Sequence, residues 1–271
     1  MKKLFVTLLW MISATCSAAK FNSQSVFVIE DGGQVLFEKQ PDLVSPIASL
    51  TKLMTAMVVL DAHQNMQEII TIQQSDVDEI KHSMSRVRVG WQMTRAEALE
   101  LALMHSDNRA ATALGRTYPS GLPAFQEAMR AKIAALGLRG TSIVEPSGLS
   151  PSNVSTARDL AIIAIAASAY PDITRITTTE LVQIHGTNFK NTNRLVGANG
   201  WDIRLSKTGY IEESGRCFVM RIVAAGKTAT IVLLNAGSSS ARMQDAWTIR
   251  RAITGEPSPK PQKHKKKKRR K

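Results

Sequence analysis

The chain has 271 residues, 44% of them hydrophobic and 21% charged, which is enough to bury one large core and too polar for a membrane bundle. Its formal net charge of +13 suggests nucleic acid only until the charge is located. Nine positive residues (Lys260, Lys263, Lys265, Lys266, Lys267, Lys268, Arg269, Arg270 and Lys271) crowd the C-terminus, and without them and Lys2 and Lys3 the body carries about +2. A nucleic-acid-binding body is excluded.

From the N-terminus, Lys2 and Lys3, the apolar stretch Leu4 to Ile12 and the small residues Ser17-Ala18-Ala19 fit a secretory signal, residues 1–19. The apolar run is about half the ~20 residues a membrane span needs. Its removal leaves Cys217 as the lone thiol, expected as a buried strand residue. Ser25 to Ile29 and Gln34 to Glu38 read as a hairpin turning at Asp31-Gly32-Gly33. A helix is predicted from Ser49 to about His63, with Leu53, Met57 and Leu60 on one side. Arg95 to Met104 and Arg109 to Arg116 read as helices broken at Ser106, and Pro123 to Leu136 as a third, ended by Gly137. Thr156 and Asp159 predict a capping box for an apolar helix through Ala169. Strands are expected at Ile176 to Ile184, Arg204 to Thr208, Cys217 to Ala224 and Thr228 to Leu234, then a helix from Met243 to Thr254. Strands at both ends with helices between them predict an α+β fold, an antiparallel sheet whose first hairpin joins the later strands. The expected organisation is one catalytic domain, residues 20–255, and a disordered basic tail, residues 256–271. That tail reads either as a solubilising end or as an electrostatic tether to an anionic cell-wall or lipid surface.

Three short motifs carry the chemistry: Ser49-Leu50-Thr51-Lys52, Ser106-Asp107-Asn108 and Lys207-Thr208-Gly209. Each alone is weak; S-x-x-K arises by chance about once in a chain this long, and Ser17-Ala18-Ala19-Lys20 is such a match. Together and in this order they indicate a serine acyl-transferase. Ser49 and Lys52 are one helical turn apart, so a neutral Lys52 can take the serine proton. Neutrality near pH 7 requires a pKa shift costing about 4–5 kcal/mol, supplied by burial and a nearby cation such as Lys207. Ser106 can pass a proton to a leaving amine, and the Asn108 amide can pair with substrate backbone. Lys207 and Thr208 can hold a carboxylate, while Gly209 lets substrate approach the strand edge.

These motifs, with Glu145-Pro146-Ser147-Gly148-Leu149, Ser155 to Leu160, Asn191-Thr192-Asn193 and Tyr210, make residues 25–254 resemble the low-molecular-weight penicillin-binding proteins of the D-alanyl-D-alanine carboxypeptidase family, most of all its endopeptidase members. The resemblance implies a β-lactamase/transpeptidase-like fold with a helical subdomain. It implies Ser49 as nucleophile, Lys52 as base, Ser106 with Asn108 as the second catalytic element, and Lys207, Thr208 and Arg242 as carboxylate binders. It further implies an oxyanion hole of the Ser49 and Tyr210 N–H groups, and no cofactor or metal. Implied ligands are peptidoglycan stem peptides and β-lactam antibiotics, met in the periplasm. The motifs fit cleavage of crosslinks and trimming of terminal D-alanine equally, and a non-catalytic wall binder is the remaining alternative. Ile211 departs from the threonine many relatives carry. No E-x-x-L-N, H-x-x-x-H or G-x-S-x-G occurs, which argues against a class A β-lactamase, a metallopeptidase and an α/β-hydrolase.

Overall fold

The computed structural model describes residues 20–79 and 81–257. The expected signal segment, and all but the first two residues of the expected tail, lie outside them. Strands β1 (Ser25–Glu30) and β2 (Val35–Lys39) form the predicted hairpin. After the short β3 (Ser45–Pro46) come one 3-10 turn, Ala48–Leu50, and α1 (Thr51–Asp61). Two short strands, β4 (Ile69–Thr71) and β5 (Gln92–Thr94), pair ahead of helices α2 (Arg95–Met104), α3 (Asn108–Arg116) and α4 (Gly121–Ala135). Then follow β6 (Val154–Ser155), α5 (Ala157–Ala167), α6 (Pro171–Thr177) and the hairpin β7 (Leu181–Ile184) with β8 (Thr187–Lys190). Three ten-residue strands, β9 (Asp202–Ile211), β10 (Gly215–Ala224) and β11 (Lys227–Ala236), lead to the closing helix α7 (Ser239–Thr254).

The central sheet is antiparallel in the order β2-β1-β11-β10-β9, so the first hairpin joins the last strands as expected. One apolar cluster fills the space between one sheet face and helices α1 to α6. A second, built from Phe218, Met220, Ile222, Ala246 and Ile249, joins the other face to α7. Helix α1 runs through the first cluster: Thr51 to Val59 are all buried, so the helix is enclosed on every side rather than along one stripe. This enclosure fixes the frame on which Ser49 and Lys52 stand.

Four local expectations are corrected. Ile176 belongs to a helix, because Pro171 sits at its first position and Ile173 and Ile176 are both buried; the strand begins only at Leu181. The unforeseen β7–β8 hairpin turns through His185 and Gly186, both at positive φ, the geometry of a two-residue hairpin loop. Helix α7 starts at Ser239, capped by the Ser238 hydroxyl, which accepts from Ala241 N. Thr156 does cap α5, but the Asp159 carboxylate turns away to accept from Gly140 N and Thr141 Oγ1, so the reciprocal box is absent.

Candidate active site

Ser49 stands in the 3-10 turn ahead of α1, and the preceding Ala48 is held at a φ of 48°. A left-handed alanine costs roughly 1 kcal/mol or more and persists only where its surroundings enforce it. Gly148, itself at a φ of 84°, leaves room for it: a Cβ there would lie 2.0 Å from the Ala48 carbonyl oxygen. The loop carrying Gly148 is organised by the Glu145 carboxylate, which accepts from the N–H groups of Ser147, Gly148 and Ser150 and from Asn153 Nδ2.

Lys52 is 1% exposed, and its Nζ reaches Ser49 Oγ at 2.9 Å, Asn108 Oδ1 at 2.8 Å and the Ser147 carbonyl at 2.5 Å. An ammonium satisfies all three acceptors. A neutral amine keeps two donors for Asn108 and Ser147 and turns its lone pair to the Ser49 hydroxyl, which then donates. Burial lowers the Lys52 pKa to about 8 from 10.5, against the opposing fields of Glu145 and Asp107. At 1.36 kcal/mol per unit that is about 3 kcal/mol, less than the shift expected from the sequence. About one molecule in ten therefore carries the neutral amine at pH 7.

Ser106 occupies the bend between α2 and α3 at a φ of 62°, and its Oγ accepts from Lys207 Nζ at 2.7 Å. Asp107 caps α3 by accepting from Ala110 N, so Asn108 is the first residue of the helix rather than part of the loop. The Asn108 amide is engaged at both ends, its Nδ2 donating to Ser83 Oγ at 2.8 Å.

Lys207, Thr208 and Gly209 lie on β9, the edge strand of the central sheet. Lys207 is 1% exposed; burial first, then the charges of Lys52 and Arg242, hold its pKa well below the ordinary value. Burial is thus the leading cause of the lowered pKa at both lysines. A carboxylate arriving here meets Lys207 and Arg242, neither of which has an ion pair among the described residues, which favours its binding. Thr208 Oγ1 donates to Thr192 Oγ1 at 2.6 Å. A Cβ on Gly209 would stand 3.0 Å from the Ile47 carbonyl and 3.2 Å from Ser49 N, so glycine lets the strand edge run beside the serine. Tyr210 is half exposed, lies under the Arg216 guanidinium at 3.6 Å, and lines a 220 Å³ hollow with Ser49, Asn108 and Leu149. Lys81 and Glu213 form an ion pair between the 81–83 segment and the β9–β10 turn at this hollow. Arg242 is buried; its Nη1 donates to the Cys217 carbonyl, opposite Gly209 in the ladder, and its Nε has no partner among the described residues. Cys217 is a buried strand residue, as expected, and forms no disulfide among the described residues.

The three motifs thus meet in one cleft, joined by the hydrogen bonds Lys52–Ser49, Lys52–Asn108 and Lys207–Ser106. Reasoning from single side chains missed the Ser147 carbonyl, Ser83 and Thr192. Only the Glu145 to Leu149 and Asn191 to Asn193 segments signalled two of them. A separate groove of about 570 Å³ between α4 and residues 138–144 shares no lining residue with the cleft, and its Arg130 is paired with Glu127.

The sequence model of the D-alanyl-D-alanine carboxypeptidase family matches residues 12–238. A D-alanyl-D-alanine endopeptidase of Pseudomonas aeruginosa is 45% identical over 228 residues, covering 82% of this chain and 74% of that one. The Escherichia coli protein of the same name is 42% identical over 257 residues, covering 92% and 83%. Among solved structures, Streptomyces K15 DD-transpeptidase superposes with a TM-score of 0.79 at 27% identity, over 86% of this chain and 97% of that one. Penicillin-binding protein D2 from Listeria monocytogenes, in its ampicillin-bound form, gives 0.74 at 28% identity, over 85% and 96%.

Proposed function

The chain belongs to the D-alanyl-D-alanine carboxypeptidase family of serine peptidases, and on that premise we propose that it is an exported DD-endopeptidase that hydrolyses D-alanyl-D-amino acid bonds in peptidoglycan crosslinks. The serine-peptidase chemistry rests on the Lys52 amine at 2.9 Å from Ser49 Oγ in a buried site, with Lys207 at 2.7 Å from Ser106 across the same cleft, and the choice of endopeptidase on the 45% and 42% identity to D-alanyl-D-alanine endopeptidases.

In this mechanism neutral Lys52 takes the Ser49 proton as Oγ attacks the D-alanyl carbonyl. The carbonyl oxygen becomes an oxyanion facing the Ser49 and Tyr210 N–H groups, which Gly209 allows to stand close together. Ser106 donates its proton to the departing amine and recovers one from Lys207, which is replenished by the proton that Lys52 took, so Lys52 is neutral again as the C–N bond breaks and the acyl group stays on Ser49. Water, deprotonated by Lys52, then attacks the ester; Ser49 recovers its proton and the stem peptide leaves with a free D-alanyl carboxylate. Lys207, Thr208 and Arg242 hold the carboxylate of the leaving D-centre, and Asn108 pairs with the donor backbone. A β-lactam enters as a carbonyl with a carboxylate at the matching position and stays as a stable ester. The chemistry assigns no task to a metal or cofactor.

The activity belongs to a single catalytic domain, residues 20–255, delivered to the periplasm by the segment 1–19. The basic tail tethers it electrostatically to anionic wall polymers or lipid headgroups. Purified enzyme should convert crosslinked muropeptide dimers to monomers, and Ser49→Ala should not. Trimming of pentapeptide monomers with dimers left intact would replace this reading with a carboxypeptidase. Dimer binding with neither reaction would leave a non-catalytic wall binder.

A further inference from the structure

Asn108 stands on a wall shared by two hollows. The smaller holds Ser49 and Tyr210; the larger, about 500 Å³, opens on Ser106 and is walled by Arg86, His105, Asn188 and Lys190. The division follows the reaction. The acyl half remains on Ser49, while the amine departs where Ser106 can protonate it, so the larger hollow faces the half that leaves. Strand β8 forms its far wall and runs on to Thr192, whose hydroxyl meets Thr208, a residue assigned to the leaving carboxylate.

The hollow is positively charged and its walls are braced. Arg86 donates to the Asn188 carbonyl, and its guanidinium lies 4.6 Å from the Phe189 ring centroid. His105 Nδ1 stands 2.9 Å from the Lys190 carbonyl, which ties the residue before Ser106 to β8. The lining carboxylate, Asp107, is buried and already accepts from Ser85 Oγ and Ala110 N. The exposed Lys190 side chain meets no carboxylate among the described residues. Fully exposed Met84 adds an apolar rim.

We infer that this hollow is the subsite for the second stem peptide, the one whose amine is released, and that Lys190 and Arg86 recognise its carboxylates. The inference rests on the endopeptidase reading and adds a reason for it. A leaving terminal D-alanine ends in a methyl group beside its one carboxylate and offers no further charged group. A crosslinked stem continues from that D-centre and carries further carboxylates into the hollow. Opposite charge across a partly shielded surface favours that longer leaving group and disfavours an uncharged one.

The test compares kcat/KM for a crosslinked dimer and for a pentapeptide monomer in wild type, Lys190→Glu and Lys190→Arg. The dimer-to-pentapeptide ratio should fall about tenfold in Lys190→Glu, as expected for reversing a charge beside a carboxylate, and should be kept in Lys190→Arg. A dimer amidated on the acceptor stem should show no such difference between the variants. An unchanged ratio in Lys190→Glu, or equal losses on both substrates, would overturn the subsite while leaving the endopeptidase reading in place. A wild-type enzyme that trims pentapeptide but leaves dimers intact would overturn that reading, and the subsite with it.

Discussion

Acylation by penicillin should follow the ionisation of Lys52. Burial holds that amine at a pKa of about 8, so its neutral fraction is set by how far the pH lies below that value. The acylation rate should rise about ninefold from pH 6 to 7, about fivefold from 7 to 8, and about twofold from 8 to 9. Stopped-flow acylation at saturating penicillin reads this step, because the ligand carboxylate then supplies Lys207 with the counterion it lacks and keeps it protonated. Lys52→Arg should lose acylation at every pH, since arginine does not release its proton. A flat rate between pH 6 and 9, or an active Lys52→Arg, would refute Lys52 as the base.

Gly148→Ala places a methyl 2.0 Å from the Ala48 carbonyl at a φ of 84°, so acylation should fall at least about a hundredfold by displacement of Ser49, with far-ultraviolet circular dichroism retained. Lys52 binds its proton more weakly folded than unfolded, so it costs stability fully below about pH 8 and the cost fades as pH rises toward 10.5. Urea titrations should show wild type gaining up to about 3 kcal/mol over that interval relative to Lys52→Met; equal pH slopes would contradict the buried amine. Truncation after Gly255 should leave turnover of soluble substrate unchanged and weaken sacculus binding. Wild-type binding should also weaken with salt, as the Debye length shrinks from about 10 Å at 0.1 M to about 3 Å at 1 M; salt-insensitive binding would refute the tether.

The site was largely legible because its chemistry is written in short local motifs on regular elements. Lys52 stands one turn beyond Ser49, and Lys207 to Gly209 lie on the strand that Trp201, Ile203 and Leu205 announce, although that strand runs on to Ile211. What stayed hidden depends on the chain folding back on itself. The Ser147 carbonyl reaches Lys52 across 95 positions of sequence, and no propensity reports a backbone acceptor. The left-handed Ala48 exists because Gly148 leaves room for it. Arg242 was named through resemblance, and its contact, the Cys217 carbonyl beside Gly209, follows from the β9–β10 register. The strand misread at Ile176 shows the same limit: β-branched residues favoured a strand, while Pro171 and the burial of Ile173 and Ile176 decided for a helix. The spacing of Leu53, Met57 and Leu60 does announce α1, but not that the helix is enclosed all round, with Thr51 to Val59 all buried.

Catalysis through Ser49 passes by an acyl-enzyme, its hydroxyl activated by an amine 2.9 Å away. Intact-mass spectrometry of the purified protein after brief exposure to penicillin, followed by peptide mapping, tests it most directly. One adduct of the antibiotic's mass should appear, confined to the peptide containing Ser49 and absent from Ser49→Ala. An adduct that persists in Ser49→Ala, or that maps to Ser106 or another residue, would contradict the claim.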